Sequence, residues 1–286
     1  FSTEPFVGTG IPTSNRCVAS AKSPLTGIYL YSVAGGGYGL SVKRAGFDAI
    51  IIEGRAEKPV YLLIDNDEVT IQDADWLWGI PTFETSRLLK EGLGADIRIA
   101  EIGPAGEKLV EISSIITDCR RAFGRGGTGA VMGSKNLKAI AARGKATVPI
   151  ADRDAFNKIL GELHQILRET SEVRKFGEVG TQTGPVDTSA WGIFPVRNWI
   201  TGLLENANKI SQPYLRNEKY TIRDTGCVGC PVRCTKINLV RDGPYAGAIT
   251  EGPEYETLWA LGGCCGVDNP EALIAADMFC DDFGLD

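Results

Sequence analysis

Three cysteines fall within eight residues, Cys227-Val228-Gly229-Cys230-Pro231-Val232-Arg233-Cys234, a C-x2-C-x3-C spacing in a stretch rich in glycine and proline. No other feature constrains the chain as much, because the backbone here can curl until several sulfurs face one centre. A disulfide framework is the weakest reading: three thiols on one short loop cannot pair off, and no secretory signal is visible. Structural zinc wants a fourth ligand at short range, and neither a second C-x2-C nor a nearby histidine is present. An iron–sulfur cluster fits best. It too needs a fourth ligand, which must come from Cys17, Cys119, Cys264, Cys265, Cys280 or sequence beyond this chain.

Composition removes many other chemistries. His164 is the only histidine, so the chain cannot by itself build a His-rich zinc site, an H-E-x-x-H helix or a two-His iron site. His164 lies at the polar edge of the helical stripe Phe156, Ile159, Leu160, Leu163, Leu167 and reads as a surface helix residue. With 30 Lys+Arg against 36 Asp+Glu, the net charge of −6 and the lack of a basic run argue against a nucleic-acid partner. The longest apolar runs fall well short of the roughly 18–20 residues that span a bilayer, which argues against a membrane role.

The length of 286 residues predicts two domains at roughly 100–200 residues each. The composition shifts near Pro149. Residues 1–149 hold most of the glycine and the β-type runs Ala49–Glu53, Val60–Ile64, Ile97–Ile102, Leu109–Ile116 and Ala139–Ala142, separated by turn signals such as Asp65-Asn66-Asp67. From residue 150 the period turns helical, at Asp152–Ser171 and at Pro270–Phe283, where Asn269 is the expected N-cap and Pro270 occupies N1. Residues 176–250 have weak periodicity and read as loops arranged around something. The fold class expected is α+β, a β-rich N-terminal domain over 1–149 followed by a mainly helical domain over 150–286. The chain lacks an initiator methionine and stops within a helix-like pattern, so a fragment truncated at both ends is expected.

Two glycine-rich stretches invite a ligand. Arg120 to Lys135 contains a G-x-G-x-x-G at Gly124, Gly126 and Gly129, but Asp118 to Phe123 intervene after the strand and no acidic residue follows at the dinucleotide spacing. Gly133-Ser134-Lys135 reverses the Walker order. What remains is a loop of closely spaced N–H groups with three arginines, suited to phosphate, or else a glycine-rich turn. Gly35-Gly36-Gly37-Tyr38-Gly39 allows close approach of a flat ligand, or crowded turn packing. Glu251-Gly252-Pro253-Glu254-Tyr255-Glu256 is either a solvated charge cluster or a carboxylate placed beside a redox centre for proton transfer.

Ser23–Gly27, Ala45–Ile50, Ile102–Glu107, Gly124–Ile140, the cysteine loop, Glu251–Glu256 and Asp281-Asp282-Phe283-Gly284-Leu285-Asp286 occur in an order that closely resembles the tungsten-containing aldehyde:ferredoxin oxidoreductases. The resemblance covers nearly the whole chain. It implies a β-rich base for a tungsten, occasionally molybdenum, bis-pterin cofactor, covered by helical domains, in a protein roughly twice this length. It implies that Cys227, Cys230 and Cys234 bind a [4Fe-4S] cluster whose fourth ligand lies downstream, and that Arg16 bridges cluster and pterin. Arg121 and Ala122 match positions at the pterin phosphates and their Mg2+. Asp281, Gly284, Leu285 and Asp286 match a pterin-binding motif, and Glu256 the glutamate that handles protons. Val33 stands where the family has a magnesium-binding asparagine, so only its backbone carbonyl could serve there.

By the same resemblance the reaction is oxidation of an aldehyde to an acid, with electrons passing through the cluster to ferredoxin or an electron-transfer subunit, in a reduced cytoplasm that suits eight thiols. It is compatible with a homo-oligomer. The rivals are an aromatic acyl-CoA reductase of the same superfamily, against which Glu251–Glu256 weighs, and a non-catalytic iron–sulfur or zinc scaffold or electron-transfer module.

Overall fold

The computed structural model describes Phe1–Leu285. Its residues fall into two units. One takes in Phe1–Gly161, Cys227–Cys230 and the described residues from Cys280 onward; the other takes in Glu162–Gly226 and Pro231–Phe279.

In the first unit, β1 (Ser2–Thr3), β2 (Cys17–Lys22) and β3 (Tyr29–Ala34) form an antiparallel sheet, followed by helix α1 (Tyr38–Arg44). A hairpin, β4 (Val60–Asp65) and β5 (Glu68–Asp73), turns at Asn66-Asp67, where Asn66 takes a left-handed φ of 55°. There follow α2 (Thr82–Leu93), β6 (Arg98–Ile102), α3 (Pro104–Glu107), β7 (Ile115–Thr117), β8 (Arg121–Phe123), α4 (Thr128–Ser134) and β9 (Leu137–Arg143). The larger sheet has six strands in the order β5-β4-β9-β6-β7-β8, with β4 and β9 parallel and the other pairs antiparallel.

Alternation along β9 explains its burial on both faces. Ala139 and Ala141 pack with Leu89, Ile97 and Ile99, whereas Ile140 and Ala142 pack with Tyr38, Val42 and Phe123. A register shift between Val60 and Tyr61 leaves Lys138 as an extra residue, and a bulge of this kind re-aims a side chain. Its Nζ donates to Ile80 O at 2.7 Å and pairs with Glu107, whose Oε2 accepts from Gly79 N at 2.7 Å.

The buried face of α2 is unusually polar: Thr82, Thr85, Ser86 and Leu89. Ser86 Oγ donates to Glu101 Oε1 at 2.5 Å, and Glu101 Oε2 has no partner among the described residues. Burial pushes the Glu101 carboxyl up to about 8, only partly opposed by the Ser86 hydrogen bond and the charge of Lys138. The folded state therefore holds a proton that the unfolded chain releases near its ordinary value of 4.5. Stability from this group is complete below that value and is lost as pH rises toward about 8, at roughly 1.4 kcal/mol per pH unit. Denaturation midpoints of wild type and Glu101→Gln between pH 5 and 8 should show that slope in the wild type alone; parallel curves would show that Glu101 does not titrate this way.

Two expected strands differ. Of Ala49–Glu53 only Ala49 forms an isolated bridge, to Ser2. Ile50 and Ile52 pack inward while Ile51 faces solvent, so the alternation is β-like without a strand ladder. Of Leu109–Ile116 only the end is strand, because Leu109 adopts a φ of 57° after α3 and the chain turns through Ser113 N to Val110 O.

Helix α5 (Arg153–Glu169) lies within the expected Asp152–Ser171 and stops two residues short because Ser171 opens the next helix; it contains no fully buried residue and carries a half-buried His164. In the second unit, further helices include Ser171–Val179, Gly184–Ala190 and Gln212–Asn217. The helix Pro270–Phe283 matches its expected limits, and Asn269 Oδ1 accepts Ala272 N at 3.1 Å, as its cap role requires. A three-stranded antiparallel sheet, β10 (Thr221–Thr225), β11 (Thr235–Leu239) and β12 (Ile249–Thr250), lies where the sequence reads as loops. Phe194, Val196, Ile210, Leu258 and Leu273 form one core there. The α+β class expected from sequence is the class found. Among the described residues no helix is long and apolar enough to cross a membrane.

Candidate functional site

In the first unit the glycine turn after β3 gathers several of the singled-out residues. A Cβ added to Gly35 would sit 2.6 Å from Cys227 Sγ, so the sulfur seats directly on that backbone. Added to Gly36, whose φ is 98°, it would meet Asp118 Oδ2 at 2.6 Å and Arg121 Cγ at 3.4 Å. Val228 N donates to Gly36 O at 3.4 Å, and Asn15 Nδ2 donates to Val228 O at 2.6 Å. Arg16, exposed, follows Asn15, and its carbonyl oxygen lies 3.2 Å from where a Gly39 Cβ would be. The turn thus brings the backbone of Arg16, the stem of Arg121 and the Cys227–Cys230 segment to one place. Cys230 N donates to Cys227 O at 3.0 Å, and Gly229 between them has a φ of 72°; this left-handed residue curls the segment without a helix, and both cysteines are half-buried.

Arg121 and Ala122 lie in β8, paired with Thr117 and Ile116 of β7. The glycine run that follows has a packing explanation in part. A Cβ on Gly129, in α4, would meet Ser114 O at 2.6 Å, so that glycine lets the short helix approach the preceding backbone. Ser32 Oγ donates to Gly124 O at 2.6 Å and Ser23 Oγ to Gly126 O at 2.8 Å, which fixes the loop from the β2–β3 side.

The segment from Asp281 is anchored by its backbone and by the Asp282 carboxylate. Asp281 O accepts from Thr82 Oγ1 at 2.9 Å, Asp282 Oδ1 accepts from Phe83 N at 3.0 Å, and Gly284 O accepts from Ser114 N at 2.9 Å. Leu285 bridges to Ser113. Asp286 lies outside the described residues. An apolar cavity of about 900 Å³, bounded by residues such as Ala19, Ile50, Leu109, Ile115 and Met132, has none of the expected site residues in its lining.

In the second unit, β10 and β11 pair from Thr221↔Asn238 to Thr225↔Thr235, and the loop between their ends carries the cysteines. Asp224 binds Arg216 at 2.7 Å and buried Lys236 at 3.3 Å, and Lys236 also donates to Arg233 O at 3.2 Å. Burial would raise the Asp224 carboxyl, but these two cations more than offset it and hold it below its ordinary range. Cys234, half-buried, precedes β11 in this unit, whereas Cys227 and Cys230 belong to the first. Among the described residues no three His, Cys, Asp or Glu side chains are arranged to hold a metal ion.

Glu256 is exposed, in the short helix Tyr255–Thr257 that runs into a π-helical turn over Leu258–Gly263. Its Oε2 accepts from Trp259 Nε1 at 2.6 Å. The approach to it is held by buried Gln182, whose Nε2 donates to Pro253 O at 2.7 Å, by buried Asn238, whose Nδ2 donates to Gly252 O, and by half-buried Thr181, which donates to Glu254.

Sequence reasoning missed Asn15, Arg98 and Asp118. Asp118 followed by Cys119 at a strand end, just ahead of two arginines, was the one available signal, since aspartate tolerates the left-handed turn found there.

Residues 1–144 match the family described as aldehyde ferredoxin oxidoreductase, N-terminal domain, and residues 158–286 match aldehyde ferredoxin oxidoreductase, domains 2 and 3. The chain is 41% identical over 99% of its length to the tungsten-containing aldehyde ferredoxin oxidoreductase of Pyrococcus furiosus, and 42% identical over 99% to that of Thermococcus kodakarensis, in each case covering 46% of the relative. It is 36% identical over 97% of its length to an aliphatic sulfonate oxidoreductase, WOR-like subunit, of P. furiosus, covering 46% of it. Among solved structures, the active-site complex BamBC of benzoyl coenzyme A reductase matches with a TM-score of 0.83 at 24% identity, over 100% of this chain and 45% of that one, which speaks for a shared fold. The chain therefore spans about half the length of the curated relatives it matches, and it belongs to the aldehyde ferredoxin oxidoreductase family.

Proposed function

We propose that this chain supplies the cofactor base and part of the helical cover of a tungsten enzyme that oxidises aldehydes to carboxylic acids and delivers electrons to ferredoxin or an electron-transfer subunit in the cytoplasm. In this reading residues 1–149 form the base and 150–286 the first part of the cover. The observation that carries it is the glycine turn, whose side-chain-free backbone seats Cys227 Sγ and borders the Arg16 carbonyl and the Arg121 stem, so that a candidate cluster thiolate and both candidate cofactor arginines meet at one place.

The donor chemistry suits the implied groups. Cys227, Cys230 and Cys234 offer three thiolates to a [4Fe-4S] cluster, with the fourth supplied from outside these residues. Arg16 offers guanidinium donors that would bridge cluster and pterin, Arg121 a guanidinium fork to the pterin phosphates, Ala122 and Val33 only backbone carbonyls to Mg2+, and Asp281, Gly284, Leu285 and Asp286 would line the edge of the pterin. A bound tungsten or molybdenum bis-pterin would supply the two-electron chemistry. Turning an aldehyde into an acid takes an oxygen from water and releases two electrons and two protons. Glu256 accepts a proton, and the Trp259 hydrogen bond to Oε2 fixes the plane of its carboxylate.

Tungsten, molybdenum and iron analysis of the complete protein purified without oxygen, followed by aldehyde and benzoyl-CoA assays, tests the reading. Tungsten or molybdenum with iron and ferredoxin-dependent aldehyde oxidation are expected. Iron or zinc without either metal would make the protein a scaffold or electron-transfer module, and turnover of the aromatic thioester alone would make it an acyl-CoA reductase.

A further inference from the structure

We propose that Asp118 is a positioning residue that clamps the glycine turn beneath Cys227 and so ties the placement of the cysteine segment to the strand carrying Arg121. The proposal rests on the reading above, in which Cys227 and Cys230 hold the cluster.

Asp118 and Cys119 have φ values of 53° and 69°. Two successive non-glycine residues in the left-handed region are costly and persist only where surrounding contacts over-determine them. The backbone contributes Asp118 N to Ile99 O at 3.4 Å and Arg120 N to Thr117 O at 3.1 Å, and the carboxylate adds two bonds of its own. Asp118 Oδ2 accepts Gly37 N at 2.6 Å, and Oδ1 accepts Arg98 Nη1 at 3.1 Å. The Asp118 side chain is 13% exposed against 41% for Arg98, so the bond to the backbone is the better shielded of the two. Gly37 also lies against Arg98 and Val228, each 3.2 Å from where a Cβ would be. Cys227 Sγ rests on Gly35 and Val228 N bonds Gly36 O. One carboxylate therefore holds the N–H of the Gly36–Gly37 peptide while Val228 N bonds the carbonyl of that same peptide, and the segment Cys227-Val228 takes its seat beside it. Arg121 follows three residues after Asp118 and its stem borders the same Gly36, so a shift of Asp118 moves both the phosphate-binding side and the thiolate side.

Asparagine keeps the size of Asp118, tolerates the left-handed backbone and can still accept from Gly37 N; alanine keeps none of these. The complete protein carrying Asp118→Ala, Asp118→Asn or Gly35→Ala should be compared with wild type in two ways. With the cluster present, its reduced-state EPR spectrum and midpoint potential should change in Asp118→Ala and Gly35→Ala and stay near wild type in Asp118→Asn. After iron removal by chelation, iodoacetamide should alkylate Cys227 roughly ten-fold faster in Asp118→Ala, the factor expected from losing a charge-assisted hydrogen bond. Gly35→Ala reaches the sulfur without touching Asp118, which keeps the test usable where Asp118→Ala fails to fold. Unchanged spectra and alkylation in Asp118→Ala, or equal effects of Asn and Ala, would overturn the clamp. A wild-type protein with no iron–sulfur signal, whose Cys227 alkylation still responds to Asp118→Ala, would overturn the cluster assignment and leave the clamp standing.

Discussion

Cys230→Ala in the complete protein should emerge from anaerobic purification depleted in iron and unable to reduce ferredoxin, with the fold of both units kept. Each thiolate of a cubane cluster occupies a required coordination position, so removing one leaves an iron that water or a foreign ligand must fill. The backbone of the segment does not depend on the lost sulfur. Gly229 supplies the left-handed turn, and the Cys230 N to Cys227 O bond uses main-chain atoms that alanine also has. The loss would therefore report coordination rather than collapse. The same outcome is expected for Cys227 and for Cys234, whose flanks are held by the Asp224, Arg216 and Lys236 charges. Cys265→Ala makes a useful control, because that exposed sulfur donates to Ala260 O at 3.4 Å and has no assigned part. Iron analysis with ferredoxin reduction decides the matter: full iron occupancy in Cys230→Ala would remove it from the ligand set.

How much of this was readable in the sequence depended on how local the determining physics is. One capped helix was read to the residue: Asn269-Pro270 sets the start of the Pro270–Phe283 helix through a bond spanning three residues. Strands buried on both faces were also visible, since β9 carries the apolar run Ala139–Ala142. Ala49–Glu53 has the alternation of a strand but pairs only through Ala49, because a ladder needs a neighbour that the pattern of one segment cannot specify. The β10–β12 sheet was missed for the opposite reason. Its central strand, Thr-Lys-Ile-Asn-Leu over Thr235–Leu239, buries Lys236 and Asn238 by giving each buried polar partners, and burial achieved through hydrogen bonds leaves no hydrophobic period.

The candidate site divides along the same line. Its cysteine spacing and glycine runs are short-range signals and were found. Asp118 and Arg98 act on Gly37 from 81 and 61 positions away, distances over which a single sequence carries no pairing information. The G-x-G-x-x-G that looked like a ligand loop owes Gly129 to close approach of Ser114, which shows why such a motif is weak until the surrounding backbone is known.

Glu256→Gln should lower aldehyde turnover by roughly 10²–10⁴, the usual contribution of a positioned general base, while tungsten, pterin and iron stay bound. Glutamine keeps the length of the side chain, and its amide oxygen can still accept the Trp259 Nε1 proton that Oε2 accepts at 2.6 Å. The short helix should also hold, since its approach depends on Gln182 bonding Pro253 O and Thr181 bonding Glu254, neither of which involves the Glu256 side chain. What the substitution removes is proton acceptance, and aldehyde oxidation must dispose of two protons for every pair of electrons. The loss should therefore fall on kcat, with KM little changed. Metal content measured on the same sample separates the outcomes: a KM change with intact kcat would give Glu256 a binding role only, and cofactor loss would show that the carboxylate supports assembly of the centre instead of proton transfer.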